Sequence, residues 1–167
     1  LSHAMEAIWS KYSNEDSRAY GQKAISLILT NYKAYLSLEN KNDAKVQGKA
    51  SSAEDPSQSV LESIAEAANL AGKAIAVTTT TAGHALSYKL GSLYQLPHGL
   101  ATAMVNRALY PFMCREKSRM IHPENLLFLA KCFLAETEEE GAKRYREILE
   151  ELEILPTLSV KEGDLEN

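Results

Sequence analysis

Apolar residues recur every three or four positions along nearly the whole chain, and nowhere do they alternate convincingly with polar ones as a half-buried strand requires. That periodicity restricts the 167 residues to an all-α fold, a helical bundle, with residues 1–167 reading as a single domain long enough to bury one good core. The balance of 45% hydrophobic and 24% charged residues is that of an ordinary globular protein.

The predicted helices follow in order. Residues 2 to 13 place Ala4, Met5, Ile8, Trp9 and Tyr12 on one apolar face, with His3 and Glu6 as neighbours three apart. Ser13-Asn14-Glu15-Asp16 sets cap-forming residues ahead of acidic ones. It starts a scaffold helix, about 16 to 38, that buries Ala24, Ile25, Ile28 and Leu29, with Tyr32 and Tyr35 further along. Residues 39 to 58 are polar, contain Gly48 and Pro56, and read as a loop with a short helical turn near Ala44 to Ala50. The third helix runs from Ser57 to about Val77; Leu61, Ile64, Ala65, Ala68, Leu70-Ala71 and Ile75 supply apolar faces, and its small residues, Ala71 and Gly72 among them, permit close approach. The β-branched hydroxyl residues Thr78 to Thr81 then break the helix, either to cap the next one or to line a cleft.

A helix carrying His84 follows, then the turn Leu96-Pro97-His98-Gly99, where proline suits a new helix start. Residues 99 to 117 read as a buried helix through Leu100, Met104, Val105, Leu109 and Phe112, kinked or ended by Pro111. Asn106 and Arg107 stand on it as polar groups for a cleft mouth or for the surface. Residues 124 to 135 and 138 to 153 are two further amphipathic helices, and Pro156 stops the last; their charge runs need only solvated faces.

The chemistry concentrates in Thr81 to Ala101, which holds two of the four histidines, His84 and His98. Neutral imidazole is a good ligand for zinc or ferrous iron. His3 is a third candidate on the first helix, while His122 precedes Pro123-Glu124 and reads as a loop residue, not a ligand. Spacing alone leaves two readings open, because a gap of fourteen residues between His84 and His98 is no compact metal signature. Either the three imidazoles converge on one metal, with Glu6 orienting one of them, or they are packed and surface residues that never meet, as in a non-catalytic helical interaction or regulatory domain.

Read together, Leu1-Ser-His-Ala-Met-Glu6, Ala82-Gly-His-Ala-Leu-Ser-Tyr88 and Leu96-Pro-His-Gly-Leu-Ala-Thr-Ala103 resemble the iron-containing (group III) alcohol dehydrogenases, over residues 1 to about 155. The resemblance implies the helical, metal-holding half of a two-domain enzyme whose amino-terminal half is Rossmann-like and binds nucleotide. It implies His3, His84 and His98 as metal ligands in the family's order, with a family aspartate expected four residues ahead of His3. The implied metal is iron(II), with zinc as the alternative. A finer similarity, through Asn69-Leu-Ala-Gly-Lys-Ala-Ile75, the threonine run and Ala85-Leu-Ser-Tyr88, is to the phosphonoacetaldehyde reductases of that family.

Tyr88 stands where many relatives have a second histidine near the nicotinamide, which makes it the candidate catalytic residue. A phenol can donate a hydrogen bond to a substrate oxygen or relay a proton, though less readily at neutral pH than imidazole. Lys89 lies about 140° round the helix from His84 and reads as a surface residue. The implied activity is NAD- or NADP-dependent interconversion of a small-molecule aldehyde and its alcohol, the metal polarising the carbonyl. No Gly-x-Gly-x-x-Gly loop is present, so the nucleotide is expected mainly on the amino-terminal domain. The chain thus reads as a fragment, inactive and weakly metal-binding by itself.

A net charge of −4 without a basic stripe argues against a nucleic-acid partner, and no apolar run is long enough for a membrane partner or span. Cys114 and Cys132 read as reduced thiols of a cytoplasmic protein, and a homo-oligomer is compatible with the pattern.

Overall fold

The computed structural model describes residues 1–42, 56–153 and 155–156, and among them there are helices and no strand, as the periodicity predicts. The first helix, α1 (Ser2–Trp9), is short and lies at the centre, against α2 (Glu15–Asn42), α3 (Pro56–Ala76), α5 (His98–Arg115) and α6 (Glu124–Cys132). Ala4, Met5, Ala7 and Ile8 are completely buried and Trp9 nearly so, as befits a helix covered on every side. It ends at Trp9, short of the predicted residue 13, because Ser10 turns extended and accepts a bond from the Tyr12 amide at 3.2 Å. Tyr12 therefore leaves the predicted apolar face and is 59% exposed.

Ser17 and Asn14 exchange backbone-to-side-chain bonds at 2.9 Å each, which satisfies amides at the start of α2. This helix continues to Asn42, past the predicted end at 38; the expected turn near Ala44 to Ala50 lies outside the described residues. It packs along α3 through Ala24 and Ile25 on one side and Ala67, Leu70, Ala71 and Ala74 on the other. Neighbours cover α3 on that side only. Of the apolar residues read from the sequence, Leu70 and Ala71 are buried and Ile64 and Ile75 half-buried, whereas Leu61, Ala65 and Ala68 are exposed.

Helix α4 (Ala82–Tyr94) packs chiefly on α5, which begins at His98 and carries Pro111 inside it, so the proline does not end the helix. The inward face of α5 differs from the predicted one. Ala101, Val105, Tyr110 and Cys114 are buried with the polar Thr102 and Asn106, whereas Phe112 is 48% exposed. Apolar spacing mislocates this face because two polar side chains point inward to partners described below.

Helices α6 and α7 (Glu138–Glu151) pack against each other, and α7 also packs on α5. A reciprocal cap between Thr137 and Glu140 starts α7. The pair is close enough that a Cβ on Gly141 would lie 2.7 Å from the Ala130 backbone. The adjoining core is aromatic, with Tyr110, Phe133 and Tyr145 in a row and Trp9 edge-on to Tyr110 at 5.7 Å. Cys114 and Cys132 are free and buried, and burial pushes both thiols up to about 11. No helix of the described residues is long and apolar enough to cross a membrane.

Two stability tests follow from this packing. Leu134 ends α6 in the left-handed region (φ 60°) with its side chain 90% exposed, so it bears a backbone cost and packs against little. Leu134→Gly is expected to raise unfolding free energy in urea by roughly 0.5–1 kcal/mol. Second, bonds from Tyr32, Lys33 and Arg144 hold the Glu151 carboxyl at about 2, below its ordinary 4.5, and tie α7 to α2. A depressed folded-state value means that this stabilisation is present above pH 4.5 and is lost as pH falls toward 2. Glu151→Gln should flatten the acid limb of stability against pH over that window.

Candidate metal centre

The site is assembled on a carboxylate. Glu6 on α1 is completely buried, and its oxygens gather donors from two other parts of the chain. Oε2 accepts from the Thr81 amide at 2.6 Å, the Thr81 hydroxyl at 2.7 Å and the His84 amide at 3.4 Å. Oε1 accepts from Asn106 Nδ2 at 3.0 Å and meets His84 Nδ1 at 2.7 Å. Thr81 occupies the position before α4, yet its hydroxyl does not cap that helix. The carboxylate from α1 supplies the negative charge there instead, where free amides and the helix dipole both favour it. Burial alone would raise the pKa of Glu6, but the bonds from Thr81, Asn106 and His84 outweigh it and hold the carboxyl below its ordinary range.

The threonine run breaks the helix and puts Thr81 at the position before α4, while none of Thr78 to Thr81 lines the cavity beside the histidines. Thr81 marks the helix start, and its hydroxyl also joins the polar network, accepting from Trp9 Nε1 at 2.9 Å. Thr78 and Thr79 spend their hydroxyls on nearby backbone carbonyls. Gly83 is needed for a steric reason, since a Cβ there would land on Asn106 Oδ1 and Glu6 Oε1.

Around this anchor the three imidazoles come together. His84 is 5% exposed; the His3 ring stacks on it with centroids 4.7 Å apart, and the His98 ring stands edge-on at 5.1 Å. They come from α1, α4 and α5, so residues 95 positions apart in sequence (3 to 98) share one cleft. His122, in the loop before α6, stays apart and faces Glu124 at 3.4 Å, as predicted for a loop residue. Glu6 was expected beside His3; it orients His84 instead, and Asn106 is a buried partner of the network, not a group at the cleft mouth.

Burial first, and then the neighbouring His84, hold His3 below the ordinary imidazole range, in the neutral form that a metal requires. The donor set suits zinc or ferrous iron. As the rings lie, however, no three His, Cys, Asp or Glu side chains among the described residues stand at coordinating spacing. The reason is visible in the stack: His3 and His84 are within 12° of parallel, and in-plane lone pairs of parallel rings do not point at one centre. His3 and His98 are both exposed, and Nδ1 of His84 is committed to Glu6, so the outer rings are the ones free to turn.

Beside the histidines lies a cavity of about 290 Å³ walled by Ile28, Ala103, Ile148, Leu149 and Leu152 among others. Tyr88 is not part of that wall. It stacks on the outer side of His98 at 5.7 Å and is 67% exposed. Lys89 is exposed, as predicted.

The close approach at Gly83 is open to a direct test. Gly83→Ala should lower unfolding free energy by about 3 kcal/mol, because the added methyl meets buried polar groups that have nowhere to move. A melting temperature unchanged from the wild type would contradict the network described here.

Comparison with known proteins shows the family. A sequence model of the carboxy-terminal region of the Fe-containing alcohol dehydrogenase family matches residues 1–166. The chain is 32% identical over 105 residues to a 1,3-propanediol dehydrogenase of Klebsiella pneumoniae, covering 63% of this chain and 23% of that protein. It is 30% identical over 139 residues to a 1,3-propanediol dehydrogenase of Citrobacter freundii, covering 83% and 30%. To a 4-hydroxybutyrate dehydrogenase of Clostridium kluyveri it is 34% identical over 101 residues, covering 60% and 24%. The chain spans less than a third of the length of these relatives. With nearly every residue matched and the fold all-helical, the chain belongs to the iron-containing alcohol dehydrogenase family, as its carboxy-terminal domain.

Proposed function

We propose that His3, His84 and His98 hold a divalent metal, iron(II) or zinc, in an enzyme that interconverts a small aldehyde and its alcohol with NAD or NADP. The observation that carries this reading is the meeting of three imidazoles from three helices in one cleft. A helical interaction or regulatory domain has no use for such a convergence. Three imidazoles leave room for a further ligand, and a bound metal supplies a Lewis acid that polarises the substrate carbonyl during hydride transfer.

The chain's own residues then have separate tasks. Glu6 fixes His84, while the exposed His3 and His98 turn to complete the set. The neighbouring cavity excludes water from the aldehyde's carbon chain. Tyr88, on the open side of His98, donates a hydrogen bond to the substrate oxygen. The nicotinamide is proposed to approach from that open side, with the nucleotide held chiefly by a separate amino-terminal domain. The relatives' names, 1,3-propanediol dehydrogenase and 4-hydroxybutyrate dehydrogenase, fit small substrates of this kind.

Phosphonoacetaldehyde is a less favoured substrate on this reading. No lysine or arginine lines the cavity among the described residues, and a dianionic phosphonate calls for one. Buried, free Cys114 and Cys132 suit a reducing, cytoplasmic setting.

Metal analysis tests the proposal. In the whole protein, His84→Ala and His98→Ala should each weaken metal binding by at least about 100-fold, more than loss of an outer partner of a ligand costs. Aldehyde reduction should fall with it. Metal content equal to wild type in both variants would sink the metal reading and favour the interaction domain.

A further inference from the structure

We infer that Glu6 is a positioning residue that sets the tautomer of His84, keeping the ring hydrogen on Nδ1 so that Nε2 presents its lone pair to the cleft. This rests on the metal reading proposed above, but its cause is hydrogen-bond logic internal to the chain.

An ionised carboxylate accepts and never donates. Glu6 Oε1 lies 2.7 Å from His84 Nδ1, so that nitrogen carries the hydrogen, and Nε2, across the ring, is left with its lone pair on a residue that lines the cleft. The other donors leave the carboxylate no alternative. The Thr81 amide is a donor that cannot be reversed. The Thr81 hydroxyl already accepts from Trp9 Nε1, so its own hydrogen points to Oε2. Asn106 turns its amide nitrogen to Oε1 even though this leaves its completely buried Oδ1 without a partner. A neutral buried site would have let Asn106 choose; the charge on Glu6 makes the choice.

The same logic predicts what glutamine does in place of Glu6. Its amide oxygen must stay at the Oε2 position, because the two Thr81 donors and the His84 amide remain there. Its NH2 therefore falls at the Oε1 position and faces His84 Nδ1, which can now only accept. The ring hydrogen moves to Nε2, and the nitrogen offered to the cleft changes from acceptor to donor. Asn106 can turn over and use its unpartnered Oδ1 to accept from the new NH2. The contacts survive while the ligand nitrogen is lost.

Nitrogen-15 NMR of the whole protein, labelled at histidine and stripped of metal, reads the tautomer directly, with the His84 signals assigned by their loss in His84→Asn. The wild type should show a protonated Nδ1 and an unprotonated Nε2, and Glu6→Gln the reverse. Zinc titration should show a 10–100-fold weaker affinity in Glu6→Gln, the range for losing an outer partner of a metal-bound histidine. A wild-type His84 protonated at Nε2 overturns the inference, as does a Glu6→Gln protein that keeps hydrogen on Nδ1 or binds zinc as tightly as wild type. If Glu6→Gln does not fold, the wild-type spectrum still decides. A wild-type protein with the expected tautomer and no zinc affinity would leave Glu6's role in place and remove the metal reading, so the two failures are distinguishable.

Discussion

A single completely buried carboxylate organises this domain. Isolating a charge from solvent costs several kcal/mol unless donors replace the lost hydration. Glu6 collects those donors from Thr81 and His84 at the head of α4 and from Asn106 on α5. None of them is close to Glu6 in sequence, so the carboxylate is satisfied only when α1, α4 and α5 are together. The folded state is thereby tied to the geometry of the site.

Helix α4 shows how much depends on this. Its buried residues are Gly83, His84 and Ser87, too little apolar surface to hold thirteen residues by hydrophobic burial alone. Polar contacts hold it instead. The Glu6 carboxylate meets its amino-terminal end, and the Thr102 hydroxyl of α5 donates to the Ser87 hydroxyl at 3.1 Å. Helices α5, α6 and α7 are held differently, by aromatic packing around Tyr110, Phe133 and Tyr145 and by the close crossing at Gly141. A rigid apolar half thus carries a polar half in which His84 is fixed and His3 and His98 remain free to adjust. That division suits a centre that must admit a metal and a substrate without repacking its core.

Much of this was legible in the residues. Helical periodicity pointed to the all-α class, and the His3, His84 and His98 motifs pointed to the family that the chain proves to belong to. The errors have separate origins. On α5, apolar spacing puts Phe112 inside and Asn106 near the cleft mouth because it assumes that polar residues face water. That assumption fails where Thr102 and Asn106 turn inward to meet hydrogen-bond partners. Tyr12 was lost from α1 because Ser10 turns the chain, a local preference that periodicity does not register.

The amino-acid sequence by itself determined which segments are helical, roughly where they stop, and which side chains are capable of ligating a metal. These follow from short-range rules of spacing, capping and chemistry. Which histidine Glu6 would hold was decided by the tertiary structure alone. His3, three residues away on the same helix, was the neighbour by sequence, yet the carboxylate points to His84, 78 positions further along. Partnership between buried polar groups depends on which donors packing brings within about 3 Å, and that distance is a property of the assembled helices.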